Sequence, residues 1–262
     1  MFIGLSVLGA MGKMGKSILA LAANQPTYKV VMGTSRKYSE RPTLQKIANM
    51  DINMTSCAKL AIHNSDITID VSSKDATLHH LDYAKRSLKP IVIGTTGHSL
   101  EIQKKIEDTA QYIPIFYTPN FSPGISLLLQ LVEFIKTSGF CENCCIDIIE
   151  THHIHKKDLP SGTAIALAKT TGKEIAEDAT AKSKSSQVRI HAIRSGEVIG
   201  EHQVIFEYGN EQIKLTHQAH SRDIFAQGAL AAAAFLIDKK PGLYSRLNIS
   251  SVQRVDNFAL ET

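Results

Sequence analysis

The chain has no tryptophan, four cysteines and 6% aromatic residues among its 262 positions, and each shortage narrows the possibilities. Cys141, Cys144 and Cys145 form C-x-x-C-C, and Cys57 stands far from them. That is not the cysteine framework of a small secreted domain, and in a reducing compartment these are free thiols by default. A zinc site shared with His152 and His153 is the alternative. Against it, Cys144 and Cys145 are neighbours that would point to opposite faces of a strand, and no second C-x-x-C exists. No apolar run approaches the roughly 20 residues of a membrane span. Met1-Phe2-Ile3-Gly4-Leu5 lacks the basic region and small-residue cleavage site of a secretory signal, which points to a cytoplasmic protein. Blocks of like charge are missing too. The formal net charge is +4 and the cations are scattered, so small anionic ligands are favoured over nucleic acid or a membrane.

What is present is an ordinary globular composition, 43% hydrophobic and 21% charged, in a chain long enough for one large domain or two modest ones. Phe2 to Leu8 is a continuous apolar run that suits a parallel strand covered on both faces. It leads into Gly9-Ala10-Met11-Gly12-Lys13-Met14-Gly15 and then the helical pattern from Ser17. Strand, glycine turn and helix form the setting of a dinucleotide site, where backbone approaches a pyrophosphate stabilised by the helix N-terminus. The spacing is G-x-x-G-x-x-G, and a turn serving only tight helix packing is the competing reading. Lys29 to Thr34 reads as the second strand. It ends in Ser35-Arg36-Lys37, without the acidic residue that commonly binds an NAD ribose and with two cations available for a 2′-phosphate, so a site that tolerates or prefers NADP(H) is expected, a solvated loop being the competing reading.

Strands at Asp66 to Val71, Pro90 to Ile93 and Ile113 to Tyr117 alternate with helices from Lys74 to Ser87 and from Ser99 to about Gln111. The alternation predicts a Rossmann-like, doubly wound α/β sheet. It brings together the loops Gly9 to Gly15, Gly94-Thr95-Thr96-Gly97 and Thr118 to Gly124 beyond the strands' carboxyl ends. Arg41 to Ala61 shows little periodicity. After a helix from Ile125 to Thr137 the pattern becomes strand-rich, with candidates at Cys144 to Glu150, Val188 to Ile193, Glu201 to Tyr208 and Gln212 to His217. A polar linker covers 182–186, and a last helix, Asp223 to Leu236, is expected to pack back on the first unit. The expected organisation is a dinucleotide-binding domain over 1–121 plus about 222–262, and an α+β substrate-binding and oligomerisation domain over 122–221.

Within the second lies Glu150 to Ala164, which packs three of the eleven histidines and two lysines into His152 to Lys157. Pro160-Ser161-Gly162-Thr163 then opens a helix expected to run to about Ala179, capped by Ser161 or Thr163. A cationic loop running into a helix N-terminus receives anions, and imidazole and ammonium beside it supply protons.

These segments, in order, resemble the 4-hydroxy-tetrahydrodipicolinate reductase (dihydrodipicolinate reductase) family of the diaminopimelate route to lysine. The resemblance rests on Val7 to Gly15, Gly94 to Gly97, Asn120-Phe121-Ser122, Ser195 to His202 and Thr216 to Arg222. Above all it rests on Glu150 to Ala164, similar to the family signature E-x-H-H-x-x-K-x-D-x-P-S-G-T-A. It implies a general acid at His152, a second proton-donating or anion-holding group at Lys156, a substrate contact at His153, and a carboxylate pocket at Gly162 and Thr163. It implies cofactor loops at Gly9, Ala10, Met11, Gly12, Lys13 and Met14, at Gly94, Thr95 and Thr96, and at Thr118, Pro119, Asn120 and Phe121. Arg36 falls near the family's 2′-phosphate arginine. The implied ligands are NADPH or NADH and a small cyclic dicarboxylate, in a homotetramer built through the second domain's sheet, with no resident metal. Ile154 departs from a frequent arginine, a change that bears on dicarboxylate affinity. Leu159 departs from alanine and His98 from phenylalanine, and residues after about Ser250 extend past the usual family end. A metal-dependent hydrolase using His152, His153, His155 and the cysteines, or a nucleotide-binding sensor without catalysis, are the rival functions.

Overall fold

In the computed structural model, which describes residues 2–180, 182 and 184–245, β1 (Ile3–Leu8) is buried almost throughout. Its one polar side chain, Ser6, bonds the Ala61 carbonyl at 2.9 Å. β1 pairs in parallel with β2 (Tyr28–Thr34) on one side and β5 (Ile67–Asp70) on the other. β6 (Ile91–Ile93) and β7 (Pro114–Tyr117) continue the sheet in parallel beyond β5. Strand order therefore reverses at β1, and the loops after β1, β5, β6 and β7 share one edge. α1 (Lys13–Ala23) and α7 (Asp223–Leu236) cover one face, where Ile18, Leu19, Ala229 and Leu236 pack with Leu5, Val92 and Phe116. The opposite face is covered by α2 (Ala58–His63), α3 (Lys74–Ser87) and α4 (Leu100–Ala110), through residues such as Ile62, Leu81 and Ile106. The return of α7 to the first sheet follows the expectation.

A second sheet has β8 (Cys145–His152) at its centre, flanked by β10 (Gln187–Arg194) and β11 (Glu201–Tyr208). β12 (Glu211–Gln218) and β9 (Glu174–Ile175) form its edges. β8 and β10 run parallel, whereas β11 lies antiparallel to both β8 and β12. α5 (Pro123–Thr137) and α6 (Gly162–Thr170) cover one face, burying Ile125, Leu128 and Leu167 against Ile146, Ile148 and Phe206. All four cysteines are free thiols, with Cys141 and Cys144 buried in this second core.

Four features differ from the sequence reading. The unreadable stretch 41–61 holds α2 and a hairpin of β3 (Thr43–Ile47) and β4 (Met50–Thr55). Its two-residue turn places Ala48 and Asn49 at φ 50° and 62°, a left-handed pair made without the usual Asn-Gly signature. α6 ends at Thr170 rather than near Ala179, because Gly172, at φ 76°, terminates it. β8 continues through His152, so that residue ends a strand instead of opening a loop. A short β13 (Gly242–Tyr244) pairs with β7 at the edge of the first sheet. The extension after about Ser250 lies outside the described residues.

Candidate active site

The glycine turn is shaped by backbone contact. Gly9 sits at φ 81°, and a Cβ on Gly15 would lie 2.3 Å from the Gly9 carbonyl oxygen, so α1 starts directly against the end of β1. Gly12 caps α1, and no side chain bonds the helix's first-turn N–H groups. Such groups and the helix dipole suit a phosphate. A groove of about 590 Å³ extends from here, lined by Gly9, Met11, Gly12, Ser35, Arg36 and Asp75 among others. Arg36 thus reaches the same groove as the glycine turn, with Asp75 also on its wall. Ala10, in contrast, is completely buried, and Lys13 and Met14 occupy the first turn of α1.

The loops after β6 and β7 complete that edge. The Thr95 hydroxyl lies 2.8 Å from Thr77 Oγ1 and 3.1 Å from His98 Nε2, so its side chain is committed inward. Thr77 donates to Asp70, whose carboxylate also takes His80 Nδ1 at 2.8 Å and the Ser72 hydroxyl at 2.6 Å. Burial raises the Asp70 pKa, but these bonds outweigh it and hold the carboxyl below its ordinary range. Thr96 is exposed at the loop surface. Thr118 Oγ1 donates to the Asn120 carbonyl at 2.7 Å, which fixes the turn at Pro119. Phe121 is buried: its ring lies against Gly94, where an added Cβ would stand 2.4 Å from Cε2.

On the second sheet the inward face of β8 carries Ile146, Ile148, Glu150 and His152 in strict alternation. Glu150 is fully buried and accepts bonds from four groups. These are His152 Nδ1, Arg194 Nη1 at 3.0 Å, Arg194 Nη2 at 3.0 Å and the Ser161 N–H at 3.0 Å. Burial pushes its pKa up, yet the bonds from His152, Arg194 and Ser161 prevail and lower it to about 2. Glu150 is therefore an ionised acceptor, and His152 Nδ1 must carry the proton. That leaves Nε2 as the nitrogen free to exchange a proton with a ligand. A Cβ on Gly200 would stand 3.1 Å from this Nε2, so the absent side chain preserves room around it. Arg194 also bonds the carbonyls of Lys156 and Asp158, tying the basic loop to the same carboxylate.

Ser161 caps α6 by accepting the Ala164 N–H at 3.2 Å, which leaves the N–H groups of Gly162 and Thr163 outside the helical ladder. A Cβ on Gly162 would meet nothing within 4 Å. Thr163 Oγ1 accepts from Asn120 Nδ2 at 3.0 Å, so the loop after β7 and the start of α6 touch. Lys156 pairs with Asp158 Oδ1 at 2.8 Å, where the Asp158 side chain is 56% exposed. Half-exposed pairs of this kind are worth about 0–1 kcal/mol, so an arriving carboxylate can take the ammonium at little cost. The charges of Arg222 and Lys13 act on His153, after burial, to lower its pKa. The proposed zinc ligands are not together: Cys145 and His152 end the same strand about 23 Å apart, at roughly 3.3 Å per residue.

Two family models match, dihydrodipicolinate reductase, N-terminus, over residues 3–121 and dihydrodipicolinate reductase, C-terminus, over residues 124–249. The chain belongs to the dihydrodipicolinate reductase family. It is 37% identical over 254 residues to a 4-hydroxy-tetrahydrodipicolinate reductase of Caldanaerobacter subterraneus subsp. tengcongensis, covering 94% of this chain and 97% of the relative. A reductase of the same description from Clostridium novyi is 36% identical over 248 residues, covering 90% and 94%. Among solved structures, a dipicolinate-bound dihydrodipicolinate reductase from Paenisporosarcina sp. TG-14 superposes with a TM-score of 0.72 at 21% identity, over 94% of this chain and 98% of that one. Its likeness confirms the fold of this family.

Sequence reading missed three members of the site. Glu150 was visible two positions before His152, the spacing that puts both on one strand face. Arg194 and His202 come from strands 40 to 50 residues downstream, and nothing local marks them as neighbours of His152.

Proposed function

We infer that the protein reduces 4-hydroxy-tetrahydrodipicolinate to tetrahydrodipicolinate with a pyridine nucleotide, in diaminopimelate and lysine biosynthesis. One observation carries the reading. A histidine held by a buried, ionised Glu150 lies on the same strand end as an anion-receptive helix start, and that start is bonded through Thr163 and Asn120 to a loop of the nucleotide edge.

The residues fit a dinucleotide: the tight turn at Gly9 admits backbone to a pyrophosphate, and the groove of about 590 Å³ that holds Gly12 and Arg36 offers room for an adenosine half. Gly9 to Met14 would hold the pyrophosphate, Arg36 the adenosine side, and Gly94 to Thr96 with Thr118 to Phe121 the nicotinamide side. Since Ala10, Thr95, Thr118 and Phe121 are buried, they would act through backbone and shape. When bound, the nucleotide supplies the hydride. The N–H groups of Thr163 and of Gly162, the latter bonded to the Asp158 carboxylate until a ligand replaces it, bind the substrate's carboxylates with His153 and Lys156 and orient its ring. Loss of the 4-hydroxyl as water leaves a conjugated imine, and hydride addition to it leaves an enamine. The doubly protonated imidazole of His152 gives its Nε2 proton to the enamine carbon, restoring the ring C=N of the product, while Glu150 and Arg194 keep the imidazole from turning. Proton transfer of this kind contributes roughly 10²–10⁴-fold in rate.

Arg36 in the groove supports use of NADPH, and the absence of an acidic residue at 35–37 removes the repulsion a 2′-phosphate would meet; NADH is the second cofactor. The working division is 1–121 plus about 222–262 for the nucleotide and 122–221 for the substrate. The outer face of the second sheet, with Asp147, Arg189, His191 and Ile205, supports a homotetramer assembled there in the cytoplasm. The test is absorbance at the reduced-nicotinamide band with freshly generated 4-hydroxy-tetrahydrodipicolinate. Oxidation of NADPH or NADH that depends on the cyclic imine is expected, and none with either cofactor would overturn the reading.

A further inference from the structure

His202 and His217 stand directly opposite each other on the antiparallel strands β11 and β12. Each reaches a serine that caps a different helix. His202 Nε2 lies 3.4 Å from Ser161 Oγ, and His217 Nε2 lies 3.2 Å from Ser122 Oγ. Both serines already accept a helix N–H, Ala164 to Ser161 at 3.2 Å and Ile125 to Ser122 at 3.3 Å. Both are 1% exposed, so water does not substitute for either partner. The circuit also closes on its far side. Ser122 N–H donates to Asn120 Oδ1 at 2.8 Å, and Asn120 Nδ2 donates to Thr163 Oγ1 at 3.0 Å. One cross-strand imidazole pair, two helix caps and one asparagine thus form a ring. It joins the loop after β7 to the start of α6.

We propose that His202 and His217 are positioning residues that fix the two serine-capped helix starts against each other, and so set the distance between the nicotinamide loop and the dicarboxylate pocket. This rests on the functional reading above. Neither histidine touches the reacting atoms in that reading: His202 meets His152 only edge-on, with ring centroids 5.0 Å apart. Both imidazoles are neutral near neutral pH, because burial, and for His202 the neighbouring His152, lowers their pKa, to about 3 in the case of His202. A neutral ring and a serine hydroxyl make one shared hydrogen bond with either tautomer. A glutamine, which presents an amide at similar reach, restores that bond, and phenylalanine does not.

The experiment compares His202→Phe, His202→Gln, Ser161→Ala and the double variant Ser161→Ala/His202→Phe in the full-length protein. Turnover is followed with NADPH, and binding of NADPH and of pyridine-2,6-dicarboxylate is measured by calorimetry. His202→Phe is expected to weaken diacid binding and kcat/KM up to about tenfold, the scale of one net hydrogen bond. NADPH affinity should stay within about twofold, His202→Gln should recover most of the loss, and the double variant should be no worse than its weaker parent. Equal impairment by Phe and Gln, or additive losses in the double variant, would overturn the proposal. Should His202→Phe fail to fold, the half-buried His217 serves instead. His217→Phe should weaken NADPH more than the diacid, with rescue by His217→Gln, and equal effects on both ligands would overturn it. Because binding is read apart from turnover, inactive wild-type protein counts against the reaction and leaves the calorimetry to decide on the histidines.

Discussion

Glu150 decides more of the site's behaviour than its charge suggests. A buried carboxylate is tolerated only when its lone pairs are filled, and here imidazole, guanidinium and a backbone N–H fill them. The same bonds choose which nitrogen of His152 faces the ligand. Glu150→Gln keeps the volume but replaces an obligate acceptor with a group that also donates, so Arg194 loses its counter-charge and the imidazole its fixed tautomer. A fall in kcat of roughly 10²-fold is expected, the lower bound of a general-acid contribution, with KM for the nucleotide little changed. Steady-state kinetics showing wild-type kcat would remove Glu150 from the account. At this scale the histidines and Lys156 were legible from the sequence, because cations crowded before a helix start are unusual. The carboxylate beneath them was not, since a lone glutamate after an apolar run reads as the strand's end.

α1 begins where Gly9 and Gly15 meet backbone to backbone, and neither neighbour has a flexible side chain to move aside. Gly15→Ala must therefore push the helix start away from β1. With the first-turn N–H groups displaced, charge-assisted bonds worth about 1.5–3 kcal/mol each are lost to a phosphate. Fluorescence titration should show NADPH affinity at least roughly tenfold weaker, and an affinity within twofold of wild type would show that the turn serves packing alone. The elements of the first sheet were readable because continuous apolar strands alternate with helices of regular apolar spacing, one of which, α4, is capped by Ser99 as its sequence suggests. The β3–β4 hairpin escaped because left-handed Ala48 and Asn49 carry no turn signature. The alanine run of α6 has a helical pattern that its sequence alone does not end, whereas Gly172 in the left-handed region ends the helix. β8 was cut short for the opposite reason: its polar residues continue the inward face, and the apolar run alone does not show that.

For the whole molecule, acid is the informative stress. Glu150 and Asp70 titrate below their ordinary ranges because native hydrogen bonds outweigh burial, and His202, His217 and His98 do so chiefly because burial disfavours their charged forms. In every case the unfolded chain binds protons at a higher pH than the folded one, so stability is retained at neutral pH and lost as pH falls. The histidines act first, from about pH 6.5 down towards the value near 3 of His202, and the carboxylates add their share below about pH 4.5. Thermal melts from pH 7.5 to 5 should fall by at least about 2 °C, what roughly 1 kcal/mol produces at this size. A flat or rising Tm over that interval would contradict the folded-state placement of these groups. The two-sheet plan itself followed from the change of pattern after Thr137, whereas the return of β13 to the first sheet depends on pairing with β7 across more than 100 residues and left no local trace.

The central claim is that a histidine fixed by a buried carboxylate hands a proton to a diacid reduced at the adjoining nucleotide edge. The direct measurement is kcat of His152→Gln with the cyclic imine, alongside the dissociation constant of NADPH for the same preparation. The account predicts a kcat lowered by roughly 10²–10⁴-fold and a nucleotide dissociation constant within about twofold of wild type; a His152→Gln enzyme that turns over at the wild-type rate would contradict it.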